Sequence, residues 1–160
     1  MNRNRLFSLL FTCLVFAFFH SAPVFSDEPT KSEEAKKLAA LVEKAATMIQ
    51  SEGKDSFPAL RKKDGDWWKG DLYVFVDGMD GTILVHPPDP KIEGQNLLKD
   101  PAAKAVAESL IQTAEKGTGW AEYMWPKPGE STPSKKISYV KKVTMPDKTV
   151  VIVGAGMYVK

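Results

Sequence analysis

Cysteine is nearly absent from this chain: Cys13 stands alone among 160 residues, which excludes an internal disulfide and any cysteine-rich metal module. Histidine is scarce too. His20 and His86 are the only two, so a zinc site has little to draw on and no metal is expected. An excess of one charge is also missing, with 22 basic against 20 acidic residues and a net charge of +2. Nucleic acid needs a concentrated basic surface, so it is excluded as a partner. No Gly-x-Ser-x-Gly elbow is present, which leaves nucleophilic catalysis without a centre. What is there suits one folded domain: 43% of residues are apolar and 10% aromatic, enough for a packed core.

One long apolar run exists, at the N-terminus. Arg3 and Arg5 precede Leu6 to Phe19, apolar apart from Ser8 and Thr12, and this length suits a secretory signal. A membrane-spanning helix needs about 20 such residues. Val24 and Ser26 fit the third-last and last places before a cut, so residues 1–26 read as a signal peptide and 27–160 as the exported domain. The alternative is an uncleaved anchor from Leu6 to Phe25, the one case in which the chain touches a membrane. Either way the domain is periplasmic or secreted. Cleavage leaves 20 basic and 20 acidic residues, His86 and no thiol, a composition suited to an oxidising compartment.

Thr30-Lys31-Ser32-Glu33 has the capping-box pattern and opens a helix to about Glu52, which Gly53 stops. Ala35, Leu38, Val42, Ala45 and Ile49 recur every three or four residues and make one apolar stripe, to lie on the chain's own sheet or on a twin subunit. Residues 55–70 read as a helical turn and a loop. Leu72 to Val76 and Thr82 to His86 read as a hairpin around Asp77-Gly78-Met79-Asp80-Gly81, whose aspartates fit turn geometry better than a calcium site. Asp100 and Pro101 start a second helix that Gly117 ends. Three strands follow, at 119–125, 135–144 and 149–159. The expected fold class is α+β, a largely antiparallel sheet with the helices covering one face.

The chemistry concentrates between Trp120 and Tyr139. Strand alternation puts Ala121, Tyr123 and Trp125 on one face and Trp120, Glu122 and Met124 on the other. Lys135 and Lys136 stand on the neighbouring strand. Tyrosine and tryptophan offer apolar walls with hydrogen-bonding tips, and a lysine among them can meet an anion. A plain aromatic core with solvated lysines fits the same residues. His86 ends a strand before two prolines, either as a ligand contact or as a satisfied half-buried side chain. Gly154-Ala155-Gly156 has no helix after it, so close backbone packing explains it better than a dinucleotide site.

Tyr73-Val74-Phe75-Val76, Asp80-Gly81, His86-Pro87, Gly94-Gln95-Asn96-Leu97, Gly119-Trp120, Tyr123 to Gly129, Lys136 to Val140 and Gly154 to Tyr158 occur in the order seen in single Cache domains of type 2. The chain resembles that family from about Lys31 to Tyr158. The resemblance implies a PAS-like antiparallel sheet of five strands, with the last strand between the first and the fourth. It adds a long N-terminal helix, a second helix over one face, and extracytoplasmic sensing of short carboxylates such as acetate, propionate, lactate or pyruvate. The ligand would lie between the sheet and segment 87–116, held by Phe75, His86, Tyr123, Trp125, Lys136 and Tyr139. In that assignment Lys136 balances the carboxylate, Tyr139 and His86 hydrogen-bond it, and the other three exclude water. Lys136 and Tyr139 are three apart, so both join the site only if a bulge realigns their strand.

No cofactor is expected, and no enzymatic activity. The chain stops at Lys160, directly after its last strand, so the expectation is a free-standing sensor module for a small organic acid, whose further partner is a second copy in a homodimer or a separate membrane receptor or transporter. Two other readings stand beside it: an interaction protein docking through its N-terminal helix, and a small lyase or isomerase with His86 as general base.

Overall fold

A chain that alternates apolar stripes of helical and strand period must bury both against one another, and here a sheet lies between two helices. The computed structural model describes residues 29–159; the signal segment and its cut lie outside the described residues. Helix α1 spans Glu33–Glu52. Its cap is Ser32, whose Oγ accepts from the Ala35 amide at 3.1 Å, and not Thr30, which lies in the short turn Pro29–Lys31. Glu33 and Glu34 then fall in the first turn, where carboxylates suit the positive end of the helix dipole. Gly53, at φ 60°, closes the helix by donating to the Ile49 carbonyl. Among the described residues no helix is long and apolar enough to cross a membrane.

The sheet has six strands: β1 Trp68–Lys69, β2 Leu72–Gly78, β3 Ile83–Val85, β4 Thr118–Pro126, β5 Pro133–Thr144 and β6 Val150–Tyr158. All pairings are antiparallel, in the order β1-β2-β6-β5-β4, with β3 also on β2. The strand beyond the expected five is β1, a two-residue piece inside the stretch read as a loop. The longer five keep the expected arrangement, with the last strand between the hairpin and β5. A short helix α2, Phe57–Leu60, links α1 to the sheet.

The helices cover both faces of the sheet, not one. Every residue of β2 from Tyr73 to Gly78 is buried, so each face needs a cover. The α1 stripe packs on Val74, Val76, Val151, Val153 and Ala155. Helix α3, Lys104–Glu115, lays Val106, Leu110 and Ala114 on the opposite face, against Tyr73, Phe75, Ala121, Val140 and Ile152. It starts three residues later than expected, because Asp100 caps a separate turn by accepting from the Ala102 amide at 2.9 Å.

Two glycines in β6 are packing devices. A Cβ on Gly154 would stand 2.4 Å from Cζ of Phe75, and one on Gly156 would stand 2.1 Å from Oγ of Ser138 and 2.5 Å from Cε of Lys136. Their bare backbone makes room for the side chains that matter next.

Candidate functional site

Alternation along β2 sends Tyr73, Phe75 and Asp77 toward α3, and the same rule on β4 and β5 sends Tyr123, Trp125 and Lys136 there. With His86 they surround a chamber of about 20 Å³, closed on the other side by Ile83, Leu97, Val106 and Leu110. That is room for one water-sized group. Beyond it lies a wider cleft of about 540 Å³, floored by the 126–130 turn and segment 88–95, with His86 and Trp125 walling both spaces.

Lys136 is the unusual member. It is 1% exposed, and among the described residues none hydrogen-bonds its ammonium or pairs with it as an ion. Its ammonium sits 3.9 Å from the ring centre of Tyr73, 5.1 Å from that of Tyr158 and 5.7 Å from that of Phe75. A desolvated cation–π contact supplies about 2 kcal/mol, less than the several kcal/mol that burying an ion costs. Burial accordingly pulls its pKa down to about 7, and the charges of Asp77 and Asp71 offset only part of that. The neighbouring Lys135 points outward and pairs with Glu122 at 2.7 Å.

His86 is held on two sides. Its Nε2 lies 3.2 Å from the Tyr73 hydroxyl, and its ring meets Tyr73 and Trp125 edge to face at 5.2 and 5.8 Å. Its amide donates to Glu93 Oε1 at 2.9 Å, and Arg61 grips the same carboxylate at 2.7 Å while donating to the Leu84 carbonyl. This clamp fixes the loop after β3 as the chamber's roof. Burial, then the charge on Lys136, lowers the His86 pKa to about 4, with Asp89 and Glu93 opposing in part, so the ring is neutral at pH 7. Its Nδ1 is buried without a partner. Tyr123 shares a 2.7 Å hydrogen bond with Ser138, and burial pushes its phenol well above the ordinary range.

Five of the six expected residues therefore surround one space, and Tyr139 does not. The pairing of β5 with both neighbours runs unbroken from Lys136 to Lys141, so no bulge realigns it. Tyr139 faces α1, donates to Glu43 Oε1 at 3.2 Å and stacks edge to face with Trp120. Glu43 also binds Lys141. The reading missed Tyr73, Tyr158 and Asp77. Tyr73 flanks Phe75 at two-residue spacing, so strand parity alone would have found it; Asp77 has the same spacing but stands before a glycine that reads as a turn. Asp77 belongs to β2 and not to the turn; Asp80 makes the turn, accepting from the Thr82 amide and hydroxyl at 3.0 and 2.9 Å.

A family model described as Single Cache domain 2 matches residues 26–160. The methyl-accepting chemotaxis protein McpP of Pseudomonas putida is 34% identical over 92 residues, 56% of this chain and 16% of that protein. The sensor histidine kinase MctS of Rhizobium johnstonii is 38% identical over 90 residues, 55% of this chain and 19% of the kinase. The chain thus spans less than a fifth of these relatives. Among solved structures, the periplasmic sensor domain of a chemotaxis protein superposes with a TM-score of 0.59 at 28% identity, covering 78% of this chain and 90% of that one. A Cache chemosensory domain described for its carboxylic acid recognition gives 0.58 at 27% identity, over 81% and 92% of the two chains.

Proposed function

This chain belongs to the single Cache domain 2 family, and from that premise we propose that it binds a short monocarboxylate outside the cytoplasm, as a sensor and not as an enzyme. The observation that carries the reading is Lys136: an amine buried among aromatic rings, facing a chamber, with no carboxylate among the described residues at ion-pair distance. A guest carboxylate supplies that anion, and a charge-assisted hydrogen bond of this kind contributes roughly 1.5–3 kcal/mol. Phe75, Tyr123 and Trp125 exclude water, and the unpartnered Nδ1 of His86 gains a partner. The chamber is smaller than an acid of four heavy atoms, so entry displaces Trp125 or His86, the wall shared with the outer cleft. The relatives support sensing outside the cytoplasm, and one solved neighbour is described as recognising carboxylic acids.

Size limits the affinity. At about 1.5 kcal/mol per heavy atom acetate gains at most roughly 6 kcal/mol, a dissociation constant of tens of micromolar. The test is a thermal-shift series of the purified protein against acetate, propionate, lactate and pyruvate. Melting temperature should climb with acid concentration by mass action and stay flat in Lys136→Met. No response to any acid in the wild-type protein, or an equal response in the variant, defeats the reading.

A further inference from the structure

The chamber holds a second ionisable group for which a simple anion site has no use. Asp77 is 6% exposed and lines the chamber, and among the described residues no donor hydrogen-bonds its carboxyl. No ion pair joins it to Lys136, although both face the same space. A carboxyl enclosed in a chamber beside an ammonium that it does not pair with calls for an explanation in function.

Charge arithmetic supplies one. The titratable groups facing Asp77 are Lys136 from β5, Tyr123 from β4, Tyr73 from its own strand and His86 from the end of β3. Of these only Lys136 carries charge near neutrality, and only in part, since burial brings its own midpoint to about 7 while the tyrosines are pushed up and the histidine down. Helix α3 and the loop before it contribute apolar side chains there, Val106, Ala107, Leu110, Ile111 and Leu97. An entering monoanion would therefore share one ammonium with Asp77. Two negative charges in one desolvated space cannot both persist, and the group that yields is the one nearest its midpoint. Burial already raises Asp77 to about 7, with Lys136 opposing.

We propose that Asp77 is a ligand-contacting residue of this chamber: it takes one proton from solvent as the acid enters and turns its carboxylic O–H toward the guest carboxylate. The ligand is then a monocarboxylate bound together with a proton, its charge met by Lys136 and one oxygen by Asp77. This rests on the carboxylate reading above and adds to it a second contact and a proton count.

Carboxyl carbon-13 NMR of the protein, with Asp77 assigned through its backbone, reads that proton directly. Saturating acetate should raise the Asp77 midpoint by about one pH unit or more. In Asp77→Asn, whose amide keeps a donor and cannot titrate, acetate affinity above pH 7 should equal or exceed that of the wild type. An Asp77 midpoint that stays put or falls, while the signals of Trp125 and Lys136 respond to acetate, overturns this inference and leaves the binding site standing. Acetate that moves no signal removes both. The NMR titration is decisive in the wild-type protein alone if the variant does not fold.

Discussion

The two faces of the sheet are built on opposite principles. Under α1, Leu38, Val42 and Ile49 meet Val74, Val76 and Val153, all at most 2% exposed, and the buried Ser56 at the helix end is satisfied by the Gly53 carbonyl. Its polar contacts, Tyr139 to Glu43 to Lys141, sit at the partly exposed rim. Under α3 the residues are also buried but the contents differ: an ammonium, a carboxyl and an imidazole, the imidazole with its Nδ1 unpartnered among the described residues. One face supplies stability; the other spends some of it to keep a space in which an anion is welcome.

The comparison can be broken from either side. Ile49→Ala on the α1 face should give the largest change, a loss of about 2–5 kcal/mol in denaturant unfolding, because the apolar packing around it leaves a cavity behind. Lys136→Met should move the other way, a gain of about 1–3 kcal/mol at neutral pH, since a thioether fills the volume without the cost of burying charge. A loss of stability in that variant would mean that the ammonium is well satisfied in the empty chamber. Tyr139→Phe should cost about 1 kcal/mol or less, for one exchanged rim hydrogen bond, and leave acid binding unchanged. A large loss of binding there would return Tyr139 to the site.

The pH dependence of folding separates the faces as well. Lys136 is lowered from 10.5 to about 7, so its contribution is complete above 10.5 and is lost as pH falls through 7. Asp77 is raised from 3.8 to about 7, so its contribution is complete below 3.8 and is lost as pH rises through 7. The pair therefore weakens the fold most near neutrality. Urea unfolding should show wild-type stability recovering from pH 7 toward 10.5, and Lys136→Met should lack that limb.

Strand parity made most of this legible in the sequence. Alternation separates Tyr123 and Trp125 from Trp120, and it places Lys136 and Tyr139 on opposite faces; the family resemblance groups the two, but a three-residue spacing on an unbulged strand does not. Asp77 was hidden by its neighbours, because Asp-Gly in a hairpin reads as a turn while its side chain belongs to the strand. The clamp of Arg61 on Glu93 joins residues 32 apart through no local period, so no pattern announces it. Parity also fails to say that Lys136 is buried while Lys135 reaches Glu122 in solvent; that follows only when α3 and the roof loop close over one face. The capping box failed for a local reason, since Ser32 offers the same oxygen two residues nearer the acidic first turn.

The central claim is that Lys136 is kept without a partner so that a guest carboxylate can become one. A crystal structure of the protein grown with acetate tests it at the atom concerned. The account predicts density in the chamber with a carboxylate oxygen about 2.8 Å from Lys136 Nζ and with Trp125 or His86 displaced toward the outer cleft. An ammonium still seated over the Tyr73 ring beside an unoccupied chamber, at acetate concentrations that saturate the thermal shift, would contradict it.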